Sequence, residues 1–279
     1  MAPACLFLVP VPIGNLGDIS LRALETLRNA DLIACEDTRK TSFLLQHYEI
    51  KSARLLSLHK YNEKKRLGEI LALLRAGKNV AVVSDAGSPG ISDPATILVQ
   101  AAIQQGFQVV PLPGATALIP ALTASGLDCS GFLFLGFLPL KQKDRLARLE
   151  QIKTSPHTVA LYEAPHRLRQ SLEDILRVCG NRQICLAREI SKLHEEFVRA
   201  SLEDILADYA VTEKGEFVIL IEAAPAPQTA SDEEIIAFIE AQSERAQSAK
   251  NLAQILEERF EISPNRAYRL ALKAREKTG

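Results

Sequence analysis

The chain has 279 residues, of which 47% are hydrophobic and 24% are charged, and its formal net charge is −1. This length and composition are typical of a globular protein with two domains, or with one domain and a small appendage. The balanced charge argues against a uniformly basic nucleic-acid-binding surface, although the total conceals local charge runs.

Strand-like apolar runs alternate with amphipathic helical stretches through the first half of the chain. We predict strands near residues 5–11, 31–35, 54–58, 79–84 and 107–111. The first run is short, has no basic segment before it and continues into prolines, so it indicates a strand rather than a signal peptide. The alternation predicts a largely parallel sheet with helices on both faces.

A second set of elements begins after a break between Gly126 and Gly131. It opens with the apolar run 132–138, and its later strands follow each other so closely that we predict a mixed sheet. From residue 231 onward the pattern is helical, and we predict Ser231 and Ser248 as caps of two helices and Ser263-Pro264 as the start of a third. The predicted organisation is an α/β domain at 1–126, a second α/β domain at 127–225, and a small helical segment at 226–279.

Cysteine usage and hydropathy limit the cellular context. The five cysteines are odd in number and include no Cys-x-x-Cys pair. We therefore expect reduced thiols in a cytoplasmic protein. No apolar stretch is long enough to span a bilayer, so we expect no membrane partner.

Two local runs of basic residues stand out against the near-neutral net charge. Eight Lys or Arg residues against two Glu lie within 39–66, and five basic residues against one Glu follow Ile262. Either run can be a solvated helix face, which is the commoner meaning, or part of a surface for an anionic polymer. The helical segment is likewise either a helix-turn-helix-like module or a clasp that packs on the body.

Two turns of small residues follow neighbouring strands and are candidates for holding one cofactor. The first spans 84–94 and the second spans 111–117. Strand ends of a parallel sheet present backbone groups to ligands, although an Asp close to a Gly after a strand is also a common turn former. The dinucleotide pattern Gly-x-Gly-x-x-Gly is absent, which disfavours a nicotinamide dehydrogenase.

Seven segments together resemble a known family. They are 9–19, 36–39, 84–89, 113–114, 162–167, 187–189 and 214–216. In this order they resemble the small-subunit ribosomal RNA methyltransferases of the tetrapyrrole methylase superfamily, and the resemblance covers residues 6–222. It implies a two-domain fold with S-adenosylmethionine in the cleft, a homodimer, and 2′-O-methylation of a cytidine in the decoding region of 16S rRNA, within the small ribosomal subunit.

The resemblance assigns cofactor contacts residue by residue. They are Pro12, Asp85, Gly87, Ser88, Pro113, Gly114, Ala117, Ala164 and Arg188. One position departs from the family pattern, because Asp93 and Pro94 are followed by Ala95 where the family usually has glycine. Alanine disfavours left-handed backbone angles, so this turn either loses a close backbone approach or simply begins the next helix.

Methyl transfer to a ribose oxygen needs in-line positioning, and a nearby proton acceptor assists it. Candidate catalytic residues are Glu36, Asp37, Glu189 and Lys192, and His59 is a further candidate base. Asp37 can instead cap the helix that follows it, and Glu189 can pair with Arg188 or Lys192. The sequence does not select one base.

Candidate RNA contacts come from the basic runs and one helix start. They are Arg39, Lys40, His59, Lys60, Arg167, Arg266, Arg269 and Lys273. Arg167 can alternatively hold the fold. No cluster has metal-ligand spacing, so we predict no metal. Two other functions stay open: a methylase of corrin-type tetrapyrroles, which the basic run at 39–66 disfavours, and a non-catalytic nucleoside-binding module.

Overall fold

The computed structural model describes residues 4–51, 54–208, 214–225, 230–241, 248–260 and 262–276. The chain divides into two compact units, Met1–Ala224 and Pro225–Gly279, which we call unit 1 and unit 2. Each unit has a hydrophobic core of its own.

The first half of unit 1 forms a five-stranded sheet in the order β3-β2-β4-β1-β5. Its strands are β1 (Cys5–Leu8), β2 (Leu32–Cys35), β3 (Arg54–Ser57), β4 (Val80–Val83) and β5 (Gln108–Pro111). The helices of this half are α1 (Leu21–Asn29), α2 (Thr38–His47), α3 (Glu63–Arg75), α4 (Thr96–Gln104) and α5 (Leu118–Ala124). All four strand pairings are parallel, which confirms the predicted parallel sheet.

Two cores cover opposite faces of this sheet, because alternate residues of a strand point to opposite sides. Leu32 and Val80 face one core, and Ile33 and Ala81 face the other. Helices α3 and α4 contribute to the first core, and α1 and α2 contribute to the second. Burial on both faces explains why β2 and β4 are continuous apolar runs.

The second half of unit 1 forms the predicted mixed sheet, in the order β6-β7-β10-β8-β9. Its strands are β6 (Phe132–Phe137), β7 (Thr158–Glu163), β8 (Gln183–Arg188), β9 (Glu196–Ser201) and β10 (Phe217–Ile221). The helices are α6 (Gln142–Glu150), α7 (Leu168–Cys179) and α8 (Leu202–Asp208). Only β6 and β7 pair in parallel among the described strands of this sheet. The division of unit 1 at 126–127 falls between α5 and β6 and stays a prediction.

A buried ion pair joins two helices of the second half. Arg145 of α6 lies 2.7 Å from Asp174 of α7, and the two side chains are 2% and 6% exposed. The guanidinium also donates to the carbonyl oxygens of Pro139 and Leu140. These contacts compensate the desolvation of both charges.

Unit 2 consists of helices α9 (Asp232–Ala241), α10 (Ala249–Phe260) and α11 (Pro264–Glu276). Ser231 caps α9, since its hydroxyl oxygen accepts from the Glu234 N–H at 3.1 Å and its own N–H donates to the Glu234 carboxylate at 2.8 Å. This reciprocal pair is a capping box. Ser248 accepts from the Asn251 N–H at 3.2 Å at the start of α10. The predicted helix starts are confirmed.

The five cysteines form no disulfide, and each lies in the described ranges. Cys35 and Cys185 are buried. No helix in the described part of the chain is both long enough and apolar enough to cross a bilayer.

Candidate active site

A cavity of about 390 Å³ in unit 1 lies where the turns after β4 and β5 face strands β7 and β10 of the second sheet. We call it the first cavity. Five of the nine predicted cofactor residues line it: Asp85, Gly87, Ser88, Ala117 and Ala164. Predicted cofactor residues from both halves of unit 1 therefore meet at one place.

The turn after β4 is held by a two-way backbone bridge to the segment after β1. Val11 and Gly87 exchange N–H···O bonds, each of 3.0 Å. The Ser84 hydroxyl donates to the carbonyl oxygens of Ala86 and Gly87 at 3.0 and 3.1 Å. Gly87 has a φ of +75°, a conformation that glycine adopts without steric cost. The turn is thus fixed before any ligand arrives.

The turn after β5 is packed tightly against the turn after β1. A Cβ atom on Gly114 would lie 2.6 Å from the Cβ of Pro10, so only glycine fits there without a shift. The Ser88 hydroxyl also donates to the Ala115 carbonyl oxygen at 3.5 Å, which links the two cofactor turns. Gly114 and Pro113 therefore shape this turn without lining the first cavity, whereas Ala117 does line it.

Of the two alternatives considered from the sequence, the structure supports the second for Ala95. It is the N-cap of α4, so it does begin the next helix. It also has φ +148° and ψ −17°, backbone angles that residues with a Cβ atom rarely adopt, and its side chain is fully buried. The turn keeps a backbone conformation suited to glycine while carrying alanine.

Asp85 is the centre of a polar network at the ends of β2 and β4. Its N–H donates to the Glu36 carboxylate at 3.2 Å, and its Oδ1 accepts from the Asp37 N–H at 3.0 Å. The Lys40 ammonium lies 2.7 Å from Oδ2 of Asp85. Glu36 and Asp37 thus orient Asp85, and neither of them lines the first cavity.

Asp37 also has the capping role considered above. Its Oδ1 accepts from the Arg39 N–H at 2.9 Å, at the start of α2. The Arg39 guanidinium lies 2.7 Å from Oδ2 and lowers the pKa of Asp37, with the Arg39 N–H bond adding to the effect. These contacts support the cap, and the catalytic role of Asp37 stays a prediction.

Asp93 lines the first cavity and has an unusual acidity. Burial, together with the nearby Glu36 and Asp85 carboxylates, raises its pKa to about 7. Burial and neighbouring negative charge both disfavour the ionised form of a carboxyl group. Asp93 therefore changes charge near neutral pH.

Lys192 is held between two carboxylates beside Gly14. Its ammonium lies 2.8 Å from Glu189 and 2.9 Å from Glu216, and a Cβ atom on Gly14 would collide with the Lys192 side chain. Burial alone would lower the pKa of Lys192, but the hydrogen bonds to Glu189 and Glu216 outweigh it and raise the pKa. The amine is therefore protonated at neutral pH, which weighs against its acting as a base.

Glu189 is constrained by the same cluster. Burial alone would raise its pKa, but the bond from Lys192 and the 2.9 Å bond from the Glu216 N–H lower it. The Glu189 backbone has a φ of +51°. The pairing of Glu189 with Lys192 that the sequence allowed is present, and its catalytic role stays a prediction.

A second cavity, of about 330 Å³, adjoins the first on the side of α2. Four residues line both cavities: Ile13, Asp85, Ala86 and Glu216. Pro12, which the resemblance assigned to the cofactor, lines only the second cavity, together with Lys40, Phe43 and Lys192.

The remaining cofactor and RNA candidates of unit 1 lie outside both cavities. Arg188 donates to the Lys214 carbonyl oxygen at 3.0 Å and pairs with Glu196 at 3.3 Å. Arg167 is only 12% exposed and donates to the Leu138 carbonyl oxygen at 3.0 Å, so its fold-holding alternative is present.

The exposed basic candidates of unit 1 are Arg39 and Lys40, whose side chains are 89% and 64% exposed, and Lys60. His59 accepts from the Tyr61 N–H at 3.3 Å. In unit 2, Arg266 donates to Asp232 at 2.8 Å, while Arg269 and Lys273 are exposed on α11. Their roles in RNA binding stay predictions.

Comparison with known proteins decides the family. A family model described as Tetrapyrrole (Corrin/Porphyrin) Methylases matches residues 5–206. Over 221 residues the chain is 48% identical to ribosomal RNA small subunit methyltransferase I of Synechocystis sp., which covers 78% of this chain and 79% of that protein. The chain belongs to the ribosomal RNA small subunit methyltransferase I family of tetrapyrrole methylases.

The family match extends into unit 2 in at least one relative. Ribosomal RNA small subunit methyltransferase I of Micromonospora olivasterospora is 40% identical over 277 residues, covering 98% of this chain and 88% of that protein. The solved uroporphyrin-III C-methyltransferase of Thermus thermophilus, complexed with S-adenosylhomocysteine, shares the fold, with a TM-score of 0.57 and 21% identity over 78% of this chain and 97% of that one.

As a family member, the chain is an S-adenosylmethionine-dependent methyltransferase. The first cavity fits this cofactor chemically. Its wall includes the aromatic rings of Phe137 and Tyr162, whose centroids lie 5.6 Å apart, and it includes the carboxylates of Asp85 and Asp93. Apolar rings suit an adenine, and carboxylates suit a sulfonium and an ammonium cation.

Sequence reasoning missed Asp93, Tyr162, Phe137 and Glu216 as site residues. Tyr162 and Glu216 lie in segments that resemble the family, and Asp93 lies in the first turn of small residues. The sequence therefore carried a signal for each of these three positions. Phe137 belongs to an apolar run that looks like core, and its exposure of 55% is a structural finding. Among the described residues, no group of three or more His, Cys, Asp or Glu is placed to hold a metal ion.

Proposed function

We propose that the chain transfers a methyl group from S-adenosylmethionine to the 2′-hydroxyl of a cytidine in the decoding region of 16S rRNA. The relatives at 40–48% identity support ribosomal RNA as the substrate, since they are named for it. The observation that carries the proposal is the pair of adjoining cavities that share Asp85, because methyl transfer needs a donor site next to an acceptor site.

In the first cavity, Asp85, Gly87, Ser88, Ala117 and Ala164 would hold the cofactor. Bound S-adenosylmethionine supplies a methyl group that its sulfonium already activates. The fixed turns then contribute orientation: the bridge between Val11 and Gly87 holds the wall in place before binding, which lowers the entropic cost of alignment.

Two carboxylates stand where the cavities meet. Asp85 and Glu216 line both, so they are the groups placed to accept the proton of a ribose hydroxyl. Lys192 lies 2.9 Å from Glu216 as a cation and would orient that carboxylate. We therefore assign proton acceptance to this junction and a positioning role to Lys192.

A homodimer is part of the proposal, and β6 supports it. This strand is at the edge of its sheet, and its Phe132 and Leu133 side chains are 42% and 37% exposed. Exposed apolar side chains on an edge strand favour association with another chain. Light scattering with size-exclusion chromatography should give twice the chain mass, and a monomer at micromolar concentration would contradict this part of the proposal.

The proposed RNA contacts of unit 1 include Arg39 and Lys60, and those of unit 2 include Arg269 and Lys273; all four are exposed. Each phosphate contact makes affinity more dependent on salt. Replacing Arg269 and Lys273 by glutamate should weaken binding to small ribosomal subunits and reduce the salt slope. An unchanged slope would remove unit 2 from the RNA-binding surface.

The test of the reaction is methyl transfer into small ribosomal subunits that lack the modification. With S-adenosylmethionine carrying a deuterated methyl group, mass spectrometry of digested 16S rRNA should place the label on the ribose of one cytidine. Label on a base, or label only on a uroporphyrinogen offered in parallel, would contradict the proposal. Cofactor binding without any product would favour the non-catalytic nucleoside-binding module.

A further inference from the structure

We propose that the acceptor nucleotide binds in the second cavity with its base stacked on Phe43. The inference rests on the proposed function and names the place and the side chain that select the acceptor.

The second cavity is where the acceptor has to lie. In-line transfer brings the reacting atoms to about 3–3.5 Å from each other before reaction, so the acceptor needs a space contiguous with the cofactor. The second cavity shares Ile13, Asp85, Ala86 and Glu216 with the first. A ribose at this junction would face Asp85 and Glu216, and its base would extend toward α2.

Helix α2 forms the wall that meets the base. Lys40, Thr41, Phe43 and Leu44 all line the cavity, since residues three and four apart lie on one face of a helix. Phe43 is 67% exposed, which is unusual for a large apolar side chain on a wall built from Pro12, Ile13 and Leu16. Unpaired RNA bases stack on such aromatic side chains.

The charges of the rim suit a nucleotide rather than an uncharged ligand. Lys40 is 64% exposed and is 2.7 Å from Asp85, so its ammonium can reach solvent on the α2 side of the cavity. Arg39, the preceding residue, does not line the cavity; it is 89% exposed and lies 2.7 Å from Asp37. These cations would face the phosphates that flank the acceptor ribose.

The size of the space limits what enters. A volume of about 330 Å³ is at the small end of ligand sites, so it has room for one nucleotide and not for a base pair. The acceptor must therefore be unpaired or turned out of its helix before transfer.

The test compares three variants of the full chain on unmethylated small ribosomal subunits. Phe43→Ala should lower kcat/KM by about 5- to 150-fold, the range expected for losing one base stack. Phe43→Tyr, which keeps the ring, should stay within about threefold of wild type. The control Ile103→Ala removes a 60% exposed side chain of α4 that lines neither cavity, and it should have no effect.

The affinity for S-adenosylhomocysteine, measured by calorimetry, distinguishes acceptor binding from damage to the site. Phe43→Ala should bind it as wild type does, because Phe43 does not line the first cavity. A kcat/KM for Phe43→Ala equal to that of Ile103→Ala would overturn the inference, and so would a parallel loss of cofactor affinity. Absence of any RNA methylation by the wild-type protein would instead overturn the proposed function, and the inference with it.

Discussion

Replacing Ala95 by glycine should leave the stability of the protein nearly unchanged, although the methyl group removed is fully buried. At φ +148° and ψ −17° the alanine backbone is strained by about 1–3 kcal/mol, which glycine would recover. Two effects lower the stability of the variant. The buried methyl group is lost, which costs about 0.8 kcal/mol, and glycine has more freedom in the unfolded chain, which costs about 0.5–1 kcal/mol. At the middle of these ranges the opposing terms cancel to within about 1 kcal/mol.

Ala102 provides the matched control. It lies in the same helix and the same core, is also fully buried, and is not among the residues with positive φ. Ala102→Gly recovers no strain and loses both the methyl burial and about 1 kcal/mol of helix propensity, so it should cost about 2 kcal/mol. The predicted result is a gap of about 1–3 kcal/mol between the two variants, which is the strain recovered at position 95.

Urea unfolding followed by circular dichroism measures both variants against wild type, with equal m-values required for the comparison. Similar losses of stability in Ala95→Gly and Ala102→Gly would refute the reasoning. They would mean that the backbone at position 95 does not need the angles of glycine.

Three further predictions concern charges. Because the pKa of Asp93 is about 7, its carboxyl group ionises as the pH rises from 6 to 8. The affinity for cationic S-adenosylmethionine, measured by calorimetry, should therefore rise over that range, and the rise should vanish in Asp93→Asn. A flat wild-type profile would contradict this. Lys192→Arg should keep kcat within about tenfold of wild type, and Lys192→Met should lower kcat further, because a cation is needed beside Glu189. Equal losses of kcat in the two variants would indicate that Lys192 acts as a base. Asp174→Ala should cost about 3–5 kcal/mol in urea unfolding because it leaves Arg145 buried and unpaired, and a loss below about 1 kcal/mol would show that the pair contributes little.

Periodicity in the sequence was sufficient to place the elements. The runs at 31–35 and 79–84 became β2 and β4, and the serines at 231 and 248 cap the helices expected after them. Such signals can be read from the sequence because hydrophobic periodicity and helix capping depend only on neighbouring residues. The cofactor turns were found for the same reason, since small residues directly after a strand are a local pattern.

The assembly of the site depends on sheet order, which no local pattern contains. Lys40 belongs to a basic run and was assigned to RNA, yet it pairs with Asp85 because β2 and β4 are neighbours in the sheet. Lys192 lies beside Gly14 because the two halves of unit 1 meet there. The position of Phe43 at the second cavity likewise follows from the way α2 lies beside the turn after β1.

The central claim is that the first cavity holds the methyl donor, and calorimetry with S-adenosylhomocysteine tests it most directly. Ala117 lines the cavity, so Ala117→Leu should reduce affinity at least tenfold, while Ala124→Leu at the exposed end of α5 should bind as wild type does. Absence of binding heat for the well-folded wild-type protein, or unchanged affinity in Ala117→Leu, would contradict the claim.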